Sequence, residues 1–299
     1  MPLAPMAQAV ANARPGGLAA FNVIELEHAE AIVAGAEAAR RPVVLQISEN
    51  TVAFHGALAP LTLACLRIAA GAAVPVVVHL DHAVSRDLVT EAVELGVLSV
   101  MFDASALDYD DNVAATASVT RWCHERDVWV EAELGEVGGK DGVHSPGART
   151  DPAQAAKYVT ATGVDALAVA VGSSHAMLTR EARLDNALIT EIAAVAGVPL
   201  VLHGSSGVPD DGLAEAVRHG MVKINIATQL NKVLTGAVRS VLAADEKGVD
   251  PRKWMGPARS AVAAEVERLL ILLATAPEIL MAREVNGDLG MRIACLSHH

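Results

Sequence analysis

The sequence predicts an α/β fold: a TIM (β/α)8 barrel with an additional C-terminal helical segment. Three observations lead to this prediction. From residue 18 onward, short apolar segments alternate with amphipathic segments in eight units of about 25–30 residues, as in a parallel barrel. Several amphipathic segments end in glycine, as helices commonly do, and a valine-rich segment follows. No glycine-rich nucleotide fingerprint follows a strand, so an open doubly wound sheet is the weaker alternative.

Each predicted strand is a short apolar run, as expected for strands that are covered on both faces. The eight strands are Leu18–Val23, Pro42–Ser48, Pro75–His82, Leu98–Asp103, Val128–Leu134, Ala166–Val171, Pro199–His203 and Val222–Ile226. Pro75 is acceptable in the third strand because it is the first residue there.

The predicted helices follow their strands and are recognised by amphipathic periodicity. They are Glu25–Arg40, Leu61–Ala70, Ser85–Leu95, Asn112–Glu125, Pro152–Thr160, Asn186–Val195, Asp210–Arg218 and Gln229–Ala243. A glycine-rich loop, Gly135–Gly147, precedes the fifth of them, and a further helix, Pro251–Ala274, lies beyond the eighth unit. We expect one barrel domain with its C-terminal helix over residues 1–274, and a tail of unassigned structure over residues 275–299.

Composition and net charge indicate what kind of core the protein has and which partners it is not expected to bind. Of the 299 residues, 52% are hydrophobic but only 3% are aromatic, so the core should consist of small aliphatic side chains. The length is ample for such a core. The net charge is -12 and no basic cluster is interleaved with aromatic residues, so no nucleic-acid partner is expected.

Cysteine usage and hydropathy predict a cytoplasmic protein with no membrane partner. The N-terminus lacks the basic and apolar regions of a secretory signal, and no apolar run reaches the roughly 18 residues of a membrane span. Cys65, Cys123 and Cys295 are far apart and form no CxxC pair. Such an odd, unpatterned set favours free thiols in a reducing compartment.

Polar residues stand at the carboxyl ends of the predicted strands. An apolar strand has no packing reason to end in such residues. The clearest case is Pro75–His82, in which an apolar run leads into a carboxylate beside an imidazole. In a barrel, the carboxyl ends of the strands carry the catalytic residues. The polar residues at or just after these ends are Asn22, Ser48, Asp81, His82, Asp103, Glu131, Glu133, His175, His203, Ser205, Ser206, Asn225 and Thr228.

Three histidines predict a metal site. His82 ends the third strand, His175 follows the sixth, and His203 ends the seventh. Three imidazoles on separate strands, with one position left open, are the layout of a catalytic zinc site. The alternative is that Asp81 caps the next helix and that His82 is hydrogen-bonded beside it without binding metal.

Carboxylates near these histidines extend the predicted site. Glu133 is either a further metal ligand or a partner that orients a histidine. Glu131 has the same parity along its strand, so it is expected to face the barrel interior as well. Asp103 is either an orienting partner or a ligand of a monovalent cation.

Two segments predict a phosphate site. His203–Gly207 closes the seventh strand and Asn225–Thr228 closes the eighth, where many barrels of this type bind phosphate. Small residues let an anion approach backbone N–H groups, and Ser or Thr hydroxyls add donors. The alternative is an ordinary turn followed by Thr228 as a helix N-cap. A monovalent cation near the phosphate site is a second expected ion.

Eight motifs follow one another over about residues 15–255. They are Phe21–Val23, Leu80–His82, Met101–Ser105, Val130–Gly135, Gly163–Val169, Gly172–His175, Val201–Ser206 and Val222–Thr228. In these motifs and in their order, the chain resembles the class II, zinc-dependent ketose-bisphosphate aldolases, which include the fructose- and tagatose-bisphosphate enzymes. The resemblance covers most of the chain.

The resemblance implies roles for individual residues. Zinc is expected on His82, His175 and His203, with Glu133 as a further ligand, and Asp81 is expected to be the acid/base at the aldehyde oxygen. Asn22 and Ser48 are expected to contact the substrate. The residues expected to hold the phosphate of dihydroxyacetone phosphate are Gly204, Ser205, Ser206, Asn225, Ala227 and Thr228. Ala227 replaces the aspartate of many fructose enzymes and looks more like the tagatose type.

The chain departs from the family pattern at three places. His175 is followed by Ala176, where glycine is common. The glycine-rich loop is one residue short and lacks the glutamate that usually abstracts the proton, so Asp141 is predicted to be the substitute base. Related enzymes also often carry a basic residue after the Asp250–Trp254 segment for a neighbouring subunit's second phosphate, and Arg259 is the candidate here.

The predicted function is therefore that of a zinc-dependent aldolase in carbohydrate metabolism, such as glycolysis. It would join or split dihydroxyacetone phosphate and an aldehyde such as glyceraldehyde 3-phosphate. Two rivals remain: another metal-dependent sugar-phosphate enzyme, an epimerase or a hydrolase, and a non-catalytic sugar-phosphate-binding accessory subunit. The expected partners are a phosphorylated sugar and further copies of the chain, in a homodimer or homotetramer.

Overall fold

The computed structural model describes residues 3–134, 149–174 and 177–295, with residues 275–295 described by their backbone only. Eight parallel strands form the centre of the fold: β1 (Leu18–Asn22), β2 (Val43–Ser48), β3 (Val76–Ala83), β4 (Ser99–Phe102), β5 (Trp129–Glu133), β6 (Ala166–Ala168), β7 (Leu200–Leu202) and β8 (Met221–Ile226). They pair in chain order, and β8 pairs with β1. The barrel is therefore closed, and the predicted TIM barrel is confirmed.

The helices alternate with the strands and surround the barrel. They are α1 (Met6–Ala13), α2 (Leu26–Ala39), α3 (Glu49–His55), α4 (Ala59–Gly71), α5 (Arg86–Glu94), α6 (Tyr109–His124), α7 (Pro152–Thr162), α8 (Asn186–Ala196), α9 (Asp210–Arg218), α10 (Thr228–Ala244) and α11 (Pro251–Cys295). Side chains fix where several helices begin: Ser85, Asp151 and Asp185 each accept a hydrogen bond from a backbone N–H in the first turn. Each such cap contributes about 1 kcal/mol.

Small aliphatic side chains fill the space between the barrel and the helices, as the composition predicts. Outward-facing residues of the strands, such as Leu45, Val78 and Val130, are buried in one continuous apolar cluster with the inner faces of the helices. Such packing makes the barrel a rigid frame, and it directs the alternate residues of each strand into the interior.

Helix α1, which the sequence analysis did not predict, closes the amino-terminal end of the barrel. Met6, Ala9, Val10 and Ala13 form its buried face, against inward-facing residues such as Val77. Leu3 adds a parallel bridge to Val76. The lower part of the barrel is therefore apolar and sealed, which leaves the carboxyl end as the open side.

Helix α3 is a second element that the sequence analysis did not predict. It follows β2 directly, because the Ser48 hydroxyl accepts a hydrogen bond from the Thr51 N–H and starts the helix there. Glu49 accepts a second bond from the Val84 N–H, at 2.7 Å, which ties α3 to the end of β3. The helix therefore lies beside the carboxyl ends of β2 and β3.

The C-terminal helical segment is confirmed, and its backbone is helical from Pro251 to Cys295, beyond the predicted end at Ala274. Its buried residues, which include Val262, Val266 and Leu273, form one stripe that packs against α2, α9 and α10. Gly35 on α2 permits the close approach, since a Cβ atom there would lie 2.5 Å from the Ala263 carbonyl oxygen.

A helix that crosses a membrane needs roughly 18 or more predominantly apolar residues. Among the residues that the structure describes, no single helix is long and apolar enough to cross a membrane. Helices α3 and α4 meet the criterion only when they are taken together, and they are bent by 117° relative to each other.

Candidate active site

The end of β3 turns two successive side chains, Asp81 and His82, into the same cavity. Successive residues of a regular strand point to opposite faces. Here the pairing with β4 shifts between Leu80 and Ala83, and His82 has a φ of 51° in the left-handed region. Such bulges and left-handed residues recur at functional sites, at a cost of about 1–3 kcal/mol. The distortion therefore brings the acid and the predicted metal ligand together.

Asp103 orients His82. Its Oδ2 atom lies 2.7 Å from His82 Nδ1, and its Oδ1 atom accepts hydrogen bonds from the Ser105 N–H and hydroxyl. Because Nδ1 faces Asp103, Nε2 is the nitrogen that would bind a metal. Of the two roles predicted for Asp103, this geometry supports the orienting one.

His203 lies between two buried glutamates. Its Nδ1 atom is 2.9 Å from Glu133 Oε2, and its Nε2 atom is 3.2 Å from Glu131 Oε1. Burial lowers the pKa of His203, but the two carboxylates outweigh burial and raise the pKa to about 9. In the metal-free chain, the ring is therefore protonated at neutral pH, with one N–H toward each carboxylate.

A buried cation supports Glu131 from the other side. Lys223 Nζ on β8 lies 2.8 Å from Glu131 Oε2, and His79 Nε2 lies 3.9 Å from the same oxygen. His79 Nδ1 contacts the Ser99 hydroxyl at 2.8 Å. Burial raises the pKa of Glu131, but Lys223 and His203 outweigh it and hold that pKa well below its usual range. The middle of the barrel is therefore a polar, charged layer rather than an aliphatic one.

Asp81 sits at the edge of this layer and faces β1 and β2. Its Oδ2 atom lies 3.3 Å from Asn22 Nδ2 and 3.5 Å from Gln46 Nε2. Burial alone would raise the pKa of Asp81, but His82, Lys223 and His203 lower it below its usual value. The carboxylate is therefore ionised at neutral pH and ready to accept a proton.

These side chains border a cavity of about 440 Å³ at the carboxyl end of the barrel, within the usual size of small-molecule sites. The predicted site residues that line it are Asn22, Ser48, Asp81, His82, Gly204, Ser206, Asn225, Ala227 and Thr228. His203 and Glu133 are fully buried and do not line it. Ser205 does not line it, because its hydroxyl donates to the Asn225 carbonyl oxygen.

One end of the cavity has the features of the predicted phosphate site. The Ser206 hydroxyl accepts hydrogen bonds from the N–H groups of Ala227 and Gln229, at 3.3 and 3.2 Å, where α10 begins. Gly204 has a φ of 65°, and a Cβ atom there would lie 2.6 Å from the Ser174 backbone. Only glycine fits this close contact, which brings the loops after β6 and β7 together.

Two predicted residues, His175 and Asp141, lie outside the residues that the structure describes, as does the rest of the glycine-rich loop over 135–148. Ser174, immediately before His175 in the chain, lines the cavity. The described part of the predicted metal site thus consists of His82, His203 and the carboxylates near them.

The described donors fit a zinc ion. Ligand atoms of Asp81, His82 and His203 lie within 4.8 Å of one another, as do those of His82, Asp103 and Glu133. The rings of His82 and His203 meet edge-on, with centroids 4.7 Å apart. Asp81 Oδ1 is buried with no hydrogen-bond partner among the described residues. Imidazole nitrogens with carboxylate oxygens are a donor set that zinc favours.

The sequence analysis missed several residues of the site. Gln46 donates to Asn22 at 2.6 Å and lines the cavity, and Ile24 and Phe54 line its mouth. The sequence does carry a signal for the buried polar residues. Gln46, His79 and Lys223 lie two positions before Ser48, Asp81 and Asn225 on their strands. Residues two positions apart on a strand face the same side, so these three should also face the barrel interior. Phe54 gave no such signal, because it lies on a helix that was not predicted.

Comparisons with known proteins identify the family of this chain. The family model described as fructose-bisphosphate aldolase class-II matches residues 4–277. The chain belongs to the class II fructose-bisphosphate aldolase family. It is 37% identical over 273 residues to a fructose-bisphosphate aldolase of Staphylococcus aureus, covering 89% of this chain and 96% of the relative.

Two further relatives support the same family. A fructose-bisphosphate aldolase of Geobacillus stearothermophilus is 40% identical over 250 residues, covering 82% of this chain and 87% of the relative. The crystal structure of the YdjI aldolase from Escherichia coli K12 is similar with a TM-score of 0.80 and 30% identity, covering 91% and 97% of the two chains. The chain is thus an enzyme of a lyase family that cleaves carbon–carbon bonds, as the sequence analysis predicted.

Proposed function

We propose that this aldolase is zinc-dependent and joins or splits dihydroxyacetone phosphate and an aldehyde, acting on a ketose phosphate in carbohydrate metabolism. The observation that carries the proposal is the bulge of β3. It puts the carboxylate of Asp81 and the imidazole of His82 into one cavity, beside His203.

In this proposal His82, His175 and His203 hold the zinc ion, and Glu133 is a further ligand that contacts His203 in the metal-free chain. A bound zinc ion would act as a Lewis acid for the ketone of the substrate. Gly204, Ser206, Asn225, Ala227 and Thr228 would hold the phosphate. The Ser206 hydroxyl, which accepts hydrogen bonds from the Ala227 and Gln229 N–H groups, would donate its own proton to a phosphate oxygen. Asn22 and Ser48 would contact the substrate, and Ser205 would support Asn225.

Two proton transfers accompany the making and breaking of the carbon–carbon bond. In the direction of cleavage, the ionised Asp81 accepts the proton of the hydroxyl on C4, the bond between C3 and C4 breaks, and C4 becomes the aldehyde carbon. The electron pair stays on the dihydroxyacetone phosphate fragment, which then takes a proton at C3. We propose Asp141 as the group that exchanges this second proton, and it stays a prediction because it lies outside the described residues.

The two rival functions are less well supported. An epimerase or hydrolase would also use histidines and an acid, but the family to which the chain belongs consists of aldolases. A non-catalytic accessory subunit has no need for the strained bulge that brings Asp81 to His82. We further propose a cytoplasmic homodimer or homotetramer, and a monovalent cation near the phosphate site stays a prediction.

The proposed function is tested by separating proton exchange from bond cleavage. Zinc-loaded wild-type protein is expected to exchange a C3 proton of dihydroxyacetone phosphate with solvent. Asp81→Ala should retain this exchange but lose about 10²–10⁴-fold in carbon–carbon bond formation, the usual contribution of a positioned acid/base. Asp141→Asn should lose the exchange itself. If the wild-type protein shows neither exchange nor bond formation, the proposal is wrong.

Zinc uptake should depend on pH through His203. Its pKa is about 9 in the folded metal-free chain, against an ordinary value of 6.5. Protonation therefore stabilises the metal-free fold fully below pH 6.5, and this contribution is lost as the pH rises through about 9. Zinc must displace that proton, so its apparent affinity should rise about tenfold per pH unit and then level off.

Chelator competition between pH 7 and pH 10 measures this dependence. Glu131→Gln is the matched variant, because removing one carboxylate should move the levelling point to a lower pH. His79 does not contribute, since burial and Lys223 lower its pKa to about 3 and it stays neutral throughout. A zinc affinity that is constant from pH 7 to pH 9 would show that zinc does not displace a proton from His203 in this range.

A further inference from the structure

We infer that an ionic network outside the cavity positions the Ser206 hydroxyl and thereby sets the affinity of this enzyme for the phosphate group of its substrate. The network consists of Arg180, Asp210, Glu265 and Arg268. The inference rests on the proposed function, because that function places the phosphate at Ser206. The four network residues are positioning residues, since none of them lines the cavity.

The Ser206 hydroxyl depends on two separate elements for its orientation. Ser206 lies in the short 3-10 turn Ser205–Gly207 after β7, whereas the Ala227 and Gln229 N–H groups that it accepts lie at the start of α10. These two hydrogen bonds occupy both lone pairs of the hydroxyl oxygen, so its proton is left to donate to a ligand. A shift of the turn relative to α10 would break them and let the hydroxyl rotate.

Arg180, in the loop after β6, holds the turn from one side. Its Nε and Nη2 atoms donate to the Val208 carbonyl oxygen, immediately after the turn, at 2.9 and 2.7 Å. In the same loop, the Ala182 N–H donates to the Gly207 carbonyl oxygen at 2.9 Å. A Cβ atom at Gly207 would lie 2.6 Å from Met177 Sδ, so the turn and the loop pack directly on each other. The turn therefore cannot move without breaking the paired bonds of Arg180.

Glu265 of α11 holds the start of α10 from the other side. Its Oε1 atom accepts a hydrogen bond from Gln229 Nε2 at 2.9 Å. Arg268, one turn further along α11, donates to both carboxylate oxygens of Glu265, at 2.8 and 2.9 Å. Helix α11 thus fixes the side chain of Gln229, whose backbone N–H holds Ser206.

Asp210, at the start of α9, joins the two halves of the network. Its Oδ1 atom lies 2.7 Å from Arg180 Nη2, and its Oδ2 atom lies 2.6 Å from Arg268 Nη1. Burial would raise the pKa of Asp210, but hydrogen bonds from Arg268 and Arg180 outweigh burial and lower that pKa. Burial is likewise outweighed at Glu265, where Arg268 and Gln229 lower the pKa. Both carboxylates are therefore ionised at neutral pH, and two guanidinium groups balance their charge.

The network should affect phosphate binding more than folding. Buried apolar side chains, such as Val262, Val266 and Leu269, already hold α11 against the barrel. The side chains of Arg268 and Asp210 are 43% and 40% exposed, and exposed ion pairs contribute little to the stability of a fold. A hydrogen bond, in contrast, weakens steeply when its angle changes, so a small shift of the turn is enough to impair Ser206.

The test measures phosphate affinity in the zinc-loaded full chain. Inorganic phosphate is titrated by calorimetry, and KM is determined for dihydroxyacetone phosphate in the exchange of its C3 proton with solvent. Arg268→Met should raise this Kd and this KM by about 3–10-fold, as expected for the loss of two partly exposed ion pairs. The kcat of exchange should change by less than about twofold, because phosphate is bound equally in the ground and transition states. Arg180→Met breaks the network from the other side and should show the same split.

Matched variants separate positioning from a general loss of structure. Ser206→Ala should itself weaken phosphate binding, which places the probe at this site. In the Ser206→Ala background, Arg268→Met should change the phosphate Kd by less than about twofold, because no hydroxyl is left to position. A merely structural role would give the same factor in both backgrounds. Arg126→Met is the control, since Arg126 is 42% exposed, pairs with Glu125 and does not line the cavity; it should keep the wild-type Kd.

The outcomes distinguish this inference from the function on which it rests. An unchanged phosphate Kd in both Arg268→Met and Arg180→Met would overturn the inference, as would an equal effect of Arg268→Met with and without the Ser206 hydroxyl. Phosphate binding that Ser206→Ala does not weaken would also overturn it. A wild-type protein that binds phosphate through Ser206 but shows neither proton exchange nor bond formation would overturn the aldolase proposal alone, and the Kd values would still decide the role of the network.

Discussion

Zinc binding should be lost in His82→Asn while the barrel still folds. Asparagine tolerates the left-handed conformation that residue 82 adopts, with a φ of 51°, so the bulge of β3 can persist without its imidazole. The matched variant Asp103→Asn removes only the group that orients His82, and it should weaken zinc binding by about 10–100-fold. We expect the loss in His82→Asn to be larger than this, with aldol cleavage falling in parallel.

Zinc content after dialysis, together with a thermal unfolding curve for each variant, measures this prediction. His175→Ala should lose zinc as His82→Asn does. Full zinc occupancy in either variant would remove that histidine from the ligand set. If Asp103→Asn has the same effect as His82→Asn, then Asp103 is itself a ligand and not only the partner of His82.

Replacing Lys223 with methionine should destabilise the fold more than any exposed substitution. The change would remove the cation that lies 2.8 Å from the buried Glu131 carboxylate and leave that carboxylate with the His203 ring as its remaining cation. Removing one partner of a buried ion pair costs about 3–5 kcal/mol of unfolding free energy. The layer that holds His203 would also lose its support, so zinc affinity should fall as well.

Urea denaturation of the metal-free proteins measures this cost. Lys253→Met is the control, because Lys253 is exposed and its replacement should change the unfolding free energy by less than about 0.5 kcal/mol. In the double variant Lys223→Met with Glu131→Gln, no buried carboxylate lacks its cation, so much of the stability should return. A Lys223→Met protein as stable as the control would show that Glu131 does not depend on Lys223 for its compensation.

The strand ends were predictable because their signal is local. A polar residue at the end of an apolar run has no packing reason to be there, and a closed barrel brings all such ends to one face. These strand-end residues could therefore be grouped in advance. In the structure, one cavity is lined by Asn22, Ser48, Asp81, His82 and Asn225. The resemblance to a known family added the roles, which strand ends alone do not define.

Helices α1 and α3, which the sequence analysis did not predict, have only weak signals in the local sequence. Helix α1 is short and rich in alanine, and it is recognisable only by the apolar opening that it closes. Helix α3 has seven residues and begins immediately after β2, so periodicity over a longer window does not detect it. Phe54, on this short helix, consequently could not be assigned to the site.

Sequence by itself determined the barrel, the order of its units and the set of polar residues at its mouth, because periodicity and strand ends are properties of adjacent residues. Only the tertiary structure decided how those residues meet. The bulge that turns both Asp81 and His82 inward depends on the pairing of β3 with β4. The contacts of Glu131 with Lys223 and His203 join residues 92 and 72 positions apart. Such contacts follow from barrel closure, which no local pattern encodes.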